Sequence, residues 1–217
     1  MKFDKSQLLI YAVTDRSWTG SMSLYEQTEA ALKGGATMVQ LREKGLRDDN
    51  VEEYLEEAKK MRALTEKYNV PLLIDDNIKL AGLCGADGVH VGQNDMDAGL
   101  ARKLLGPSKI LGVTAKTVEQ ALKAQSQGAD YLGSGAVFGT STKKDARPMT
   151  MEQLQAICAS VSIPVVAIGG ICLDNIEKLK GSGAVGAAIV SGIFAAQDIE
   201  ATTRELREKM ERNLLEK

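Results

Sequence analysis

Residues 34–41, Gly-Gly-Ala-Thr-Met-Val-Gln-Leu, join a glycine–alanine pair to a short apolar run, and the chain repeats that join three more times. Gly85-Ala86 stands before 88–91, Gly128-Ala129 before 131–133, and Gly183-Ala184 before 185–190. Glycine suits the left-handed residue that ends a helix, so each pair marks the place where a helix stops and a strand begins. The runs that lie between these joints are announced by proline instead: Pro71, Pro107 and Pro164, three of the four prolines in the chain. Proline stops a helix and is accepted at the start of a strand. The strands expected are then 8–13, 37–41, 72–74, 88–91, 110–113, 131–133, 165–168 and 185–190, with the clearest amphipathic helices at 50–68 and 118–127.

Strand and helix in alternation mean a parallel sheet with crossover helices. Eight units in 217 residues leave about 27 residues each, close to the minimum for a strand, a helix and two loops. A period of two units repeated four times fits a closed α/β TIM barrel, (β/α)8, as a single domain over residues 1–217. An open doubly wound sheet would need a switch point, which the pattern does not mark.

Apolar residues make up 44% of the chain and charged residues 26%, a globular composition that excludes disorder and collagen-like repeats. Lys and Arg number 27 against 29 Asp and Glu, a net charge of -2, so no global field favours nucleic acid or an anionic membrane. Any anion must be held by a local site. The apolar run at 8–13 is too short to span a bilayer and lacks signal-peptide flanks, so a cytoplasmic location is expected. The three cysteines (Cys84, Cys158, Cys172) are odd in number, lack CxxC spacing and read as small buried thiols. A single histidine, His90, excludes a multi-histidine metal site and gives a histidine-based triad no support.

In such barrels chemistry sits at the carboxyl ends of the strands. Strand two runs into Gln40-Leu41-Arg42-Glu43-Lys44, where Gln40, Arg42 and Lys44 alternate and share one face; the cationic pair suits phosphate or diphosphate. Strand three ends in Asp75-Asp76, and strand four leads through His90 to Asp95. Asp76 and Asp95 on neighbouring strands suit magnesium, which takes one or two protein carboxylates and completes its shell with water and phosphate oxygens. Helix capping is the plainer role for either aspartate, Asp95 near the helix that begins at Asp97. His90 reads as a half-buried histidine with room to orient a neighbour. After strand six, Thr140, Ser141, Thr142, Lys143 and Lys144 lie on a glycine-containing loop able to supply donors to a phosphate. Gly169-Gly170 after strand seven and Val190-Ser191-Gly192 after strand eight occupy the recurrent phosphate site of these barrels. Two anion sites on one mouth, one of them with a metal, suggest joining two phosphorylated ligands with diphosphate as leaving group.

Six stretches fall in the order and spacing of one family: 11–15 (Tyr-Ala-Val-Thr-Asp), 40–44, 88–95 (Gly-Val-His-Val-Gly-Gln-Asn-Asp), 140–146, 167–171 (Ala-Ile-Gly-Gly-Ile) and 190–191. Over nearly its whole length the chain resembles the thiamine phosphate synthases. The resemblance implies a transferase that moves the 4-amino-2-methylpyrimidine-5-methyl group from its diphosphate to 4-methyl-5-(2-phosphooxyethyl)thiazole. The products would be thiamine phosphate and diphosphate, formed by a magnesium-assisted dissociative displacement. It implies that Gln40, Leu41, Arg42, Glu43, Lys44, Asp75, Thr114 and Lys143 hold the pyrimidine diphosphate, with Arg42, Lys44 and Lys143 catalytic. Thr140, Ser141, Thr142, Gly170, Val190 and Ser191 would hold the thiazole phosphate, and Asp76 and Asp95 one magnesium ion per subunit. Its partners would be the two small phosphorylated substrates, with no nucleic acid or membrane; a homo-oligomer is compatible with it.

The chain departs from the family pattern at four places. Asp75 stands where the family usually has asparagine, Thr114 replaces a serine, Ala136 and Gly139 stand where prolines are common, and Lys116 where many relatives carry histidine. Two other readings compete: a thiazole tautomerase on the same barrel, which would need a proton-transfer base and no diphosphate clamp, and a non-catalytic phospholigand-binding barrel.

Overall fold

Eight parallel strands close into a barrel, each hydrogen-bonded to its neighbours in sequence and the last to the first. In this computed structural model, which describes residues 3–43, 51–139 and 148–215, the strands are β1 (Ile10–Val13), β2 (Met38–Leu41), β3 (Leu72–Asp75), β4 (Gly88–Val91), β5 (Ile110–Thr114), β6 (Tyr131–Gly135), β7 (Val165–Ile168) and β8 (Gly186–Ile189). Around them run α1 (Leu24–Lys33), α2 (Val51–Lys67), α3 (Ile78–Cys84), α4 (Ala98–Leu105), α5 (Val118–Ser126), α6 (Met151–Ser160), the short α7 (Ser191–Phe194) and α8 (Ile199–Leu215). The TIM barrel expected from the alternation is the fold. The joints behave as their glycines require: Gly35, Gly85, Gly128 and Gly183 all have positive φ.

Both faces of the strands are covered, so they read as continuous apolar runs, yet each strand still alternates. Tyr11, Val13, Met38, Leu73, Ile110, Tyr131, Val166 and Ala188 point inward and form one cluster with Leu8. Ile10, Ala12, Val39, Leu41, Leu72 and Ile74 point outward and pack with the apolar faces of the helices. Several helix starts are written in the chain: Ser23 with Glu26 and Thr150 with Gln153 form capping boxes, and Thr117 caps α5 through the Gln120 amide.

The structure corrects three details of the alternation. Leu8 is not in β1 but ends a 3-10 turn, Lys5–Leu8, which Asp4 and Gln7 close with reciprocal caps. No α-helix links β7 to β8 among the described residues; the crossover carries only a 3-10 turn, Ile176–Leu179. β6 runs on through Gly133-Ser134-Gly135 because its ladder with β7 continues to Gly135 opposite Ile168, overriding the low strand preference of glycine. No helix among the described residues is long and apolar enough to cross a membrane.

Close packing at the ladder makes a sharp comparison available. A Cβ on Gly186 would lie 1.8 Å from the Leu8 carbonyl oxygen, whereas one on Gly82, exposed in α3, meets nothing within 4 Å. Gly186→Ala should therefore lose about 1–3 kcal/mol or more in urea denaturation, and Gly82→Ala should gain up to about 1 kcal/mol from helix propensity. Equal responses of the two variants would contradict this packing.

Candidate active site

The inward-facing residues at the carboxyl ends of the strands line one cavity. Gln40, Arg42, Asp75, His90, Asp95 and Thr114 stand on its β2–β5 side, and Gly169, Gly170, Val190 and Ser191 on its β7–β8 side. Between them Val13, Val166, Ile168 and Ala188 supply an apolar wall. The two regions singled out in the sequence therefore face each other across a single space.

Arg42 is held by contacts from three residues. Its backbone N–H donates to Thr14 Oγ1 at 3.0 Å, its Nη1 donates to Asp15 Oδ2 at 2.8 Å, and its Nε lies 3.7 Å from Asp75 Oδ2. Two carboxylates thus flank the guanidinium, one at Nη1 and one near Nε, while the residue lines the cavity. Asp15 is itself fixed, because its Oδ1 accepts the Ser17 N–H at 2.9 Å. Burial pushes the Asp15 carboxyl up, but the Ser17 hydrogen bonds and the Arg42 charge outweigh it and hold the group below its ordinary value. Asp75 lines the cavity and pairs with Arg42, so its charge is balanced within the site.

Leu41 and Glu43 are not among the residues that line the cavity. Their side chains fall on the opposite face of the alternation: Leu41 packs in the layer between strands and helices. Glu43 is buried and paired with Arg16, which also reaches Glu57. Burial raises the Glu43 carboxyl above its ordinary value, with the Arg16 bond opposing. Lys44, Thr140, Ser141, Thr142 and Lys143 lie outside the described residues.

Of the two expected magnesium ligands, Asp95 lines the cavity. Its Oδ2 accepts the Gly92 N–H at 2.7 Å. The helix start it was weighed against belongs to Asp97, which caps α4. Asp76 follows Asp75 in a left-handed conformation, φ 61, with its N–H donating to the His90 carbonyl at 2.9 Å; it is not among the lining residues. No three His, Cys, Asp or Glu side chains converge on one point among the described residues. Magnesium needs only one or two protein carboxylates when water and phosphate oxygens complete its shell.

On the far side, Gly170 has φ 66, and a Cβ there would lie 2.1 Å from the Gly139 carbonyl oxygen, so only glycine lets the two loops meet. Asn175, which the sequence reading missed, staples this turn: its Nδ2 donates to the Gly170 carbonyl at 2.8 Å and its Oδ1 accepts the Cys172 N–H at 2.9 Å. Lys116 and Tyr11 also line the cavity. Tyr11 was quoted for the resemblance alone, although alternation with Val13 already turns it inward.

A thiamine monophosphate synthase model matches residues 10–193. The chain belongs to that family. It is 45% identical over 209 residues to a thiamine-phosphate synthase of Clostridium botulinum, covering 96% of this chain and 97% of that one. To the thiamine-phosphate synthase of Ruminiclostridium cellulolyticum it is 47% identical over 204 residues, 94% and 96% of the two chains. A solved thiamine phosphate pyrophosphorylase from Pyrococcus furiosus superposes with a TM-score of 0.88 at 38% identity, over 97% and 98% of the chains. Membership of the thiamine monophosphate synthase family makes the chain a transferase acting on small phosphorylated substrates.

The Arg42–Asp15 pair carries a pH signature. With its folded value depressed, Asp15 contributes stability that is complete above its unfolded value near 3.8 and is lost as the pH falls through the lower folded value. Asp15→Asn should therefore be less stable than wild type at neutral pH, with the gap in denaturation midpoint closing below about pH 4. A gap that persists unchanged in stronger acid would remove this linkage.

Proposed function

We propose that this cavity transfers the aminopyrimidine methyl group from its diphosphate to the ring nitrogen of the thiazole phosphate by a dissociative displacement, releasing diphosphate and thiamine phosphate. The observation that carries the reading is the placing of two anion-suited ends on one cavity, the braced Arg42 on one side and the Gly170–Ser191 turns on the other. No cysteine lines it among the described residues, and both ring nitrogens of His90 are already engaged. Chemistry then rests on stabilising the departing diphosphate and on holding the thiazole nitrogen against the pyrimidine carbon, and both are effects of position and charge.

Arg42 meets the charge that grows on the diphosphate, and Asp15 keeps its guanidinium oriented before substrate arrives. Lys44 and Lys143 are assigned to the same diphosphate, and Thr140, Ser141 and Thr142 to the thiazole phosphate, on the family resemblance alone. Gln40 and Thr114 hold the pyrimidine diphosphate, and Gly170, Val190 and Ser191 admit the thiazole phosphate to the backbone. The apolar wall of Val13, Val166, Ile168 and Ala188 suits the faces of the two rings and excludes water from a reactive cation. Asp95, with Asp76 beside the cavity, would hold one magnesium ion, which would neutralise diphosphate oxygens and make them a better leaving group. We place the protein in the cytoplasm, a reading supported by its three unpaired cysteines; assembly into a homo-oligomer is compatible with it.

The test is turnover of pyrimidine diphosphate plus thiazole phosphate, with and without chelator. Wild type should form thiamine phosphate and lose activity in excess chelator, and Arg42→Ala should lose ~10²–10³ in turnover, the size of one donor acting on transition-state charge. Asp75→Asn should stay active, since asparagine is usual there in the family. Full wild-type activity in chelator would remove the metal, and an Arg42→Ala enzyme of near-normal turnover would remove the clamp.

A further inference from the structure

Five polar side chains from five strands form one continuous chain through the barrel interior. Gln40 Nε2 donates to Tyr11 Oη at 2.6 Å, and Tyr11 Oη lies 2.9 Å from Tyr131 Oη. Tyr131 Oη lies 2.9 Å from His90 Nδ1, and His90 Nε2 lies 2.9 Å from Thr114 Oγ1. The two ends are groups assigned above to the pyrimidine diphosphate; the three middle members have no role in that reading. The space they occupy is reserved, because a Cβ on Gly112 would lie 2.2 Å from Tyr131 Oη and 2.5 Å from His90 Nδ1. Tyr11 and Tyr131 are buried, and burial pushes both phenols far above their ordinary value, so each keeps its single proton.

Counting protons gives the chain a direction. With the Gln40 amide donating to it, Tyr11 has one proton to give, and the Tyr131 oxygen 2.9 Å away is placed to take it. Tyr131 must then donate to His90 Nδ1, which places the imidazole proton on Nε2, aimed at Thr114 Oγ1. Thr114, already accepting, has its hydroxyl proton left for the cavity, while the Gln40 carbonyl oxygen is left facing it as an acceptor. With a neutral imidazole, reversing the Gln40 amide would require the whole chain to reverse with it.

We propose that Tyr11, Tyr131 and His90 are positioning residues that lock Gln40 and Thr114 into opposite polarities. The cavity then offers an acceptor on the Gln40 side and a donor on the Thr114 side. That pair selects a ligand with a hydrogen-bond donor such as an exocyclic amine at one end and an acceptor nitrogen or diphosphate oxygen at the other. This deepens the reading of the site given above and rests on it for the identity of the ligand.

The experiment has two arms. His90 is the only histidine, so the 15N spectrum of histidine-labelled wild-type protein reads its tautomer directly. The account expects the proton on Nε2 and none on Nδ1, and a proton on Nδ1 overturns it. This arm needs no turnover, so it judges the chain even if the synthase reading fails. In the second arm, Tyr11→Phe and Tyr131→Phe should each raise the KM for pyrimidine diphosphate about three- to tenfold, the size of one neutral hydrogen bond, and leave that for thiazole phosphate unchanged. The double variant should be no worse than the poorer single one, because the chain acts as a unit. Equal changes in both KM values, or additive losses in the double variant, would reduce the tyrosines to packing.

Discussion

Closing a parallel sheet on itself leaves room inside for layers of side chains and nothing else, and the rest of this molecule follows from how that interior is filled. Two tyrosines, Tyr11 and Tyr131, meet edge to face with ring centroids 6.0 Å apart and fill the middle of the barrel. Below them Leu8, Met38 and Ile110 belong to the same dry cluster. Above them the cavity opens, lined by polar groups and glycines together with the apolar wall of Val13, Val166, Ile168 and Ala188. Burying two phenols is tolerable only if their hydroxyls are paired, and pairing them ties β1, β2, β4, β5 and β6 into one polar chain. The filling of the interior thus sets the floor of the site and the orientation of Gln40, His90 and Thr114.

Charge is handled locally. With a net charge of -2 the chain has no global field for anions, so a phosphorylated substrate must be held by local groups. Arg42 is held at the mouth by Asp15 and Asp75 before any ligand arrives, which spares the cost of ordering a long side chain at the moment of binding. The outward neighbour Glu43 makes a separate pair with Arg16. Alternation along one strand therefore sends successive charges to different tasks, recognition inside and anchorage outside.

That alternation also explains what could and could not be read in the chain. The helix–strand joints were legible because they demand a particular backbone: the glycines at 35, 85 and 128 take the left-handed conformation assigned to them, and Gly183 takes it after a 3-10 turn. The bare β7–β8 crossover was not, because the expectation of a helix came from the repeat and not from residues 172–184 themselves. Leu41 and Glu43 were named as part of a motif, and the two-residue period of a strand turns their side chains away from the cavity. Gln40, Arg42, Asp75, Thr114, Gly170, Val190 and Ser191 were placed at the cavity through strand ends and family spacing, and they stand there. The Tyr11–Tyr131 contact escaped because its partners are 120 residues apart and meet only when the barrel closes.

The central claim is that one cavity offers two separate anion sites, so that diphosphate and thiazole phosphate occupy it together. Calorimetric titration of thiazole phosphate into the protein, without and then with saturating inorganic diphosphate and magnesium, tests this most directly. The account predicts a thiazole phosphate Kd that stays the same or falls when diphosphate is present. An apparent Kd that climbs in proportion to diphosphate concentration would mean that the two anions compete for a single site and would contradict it.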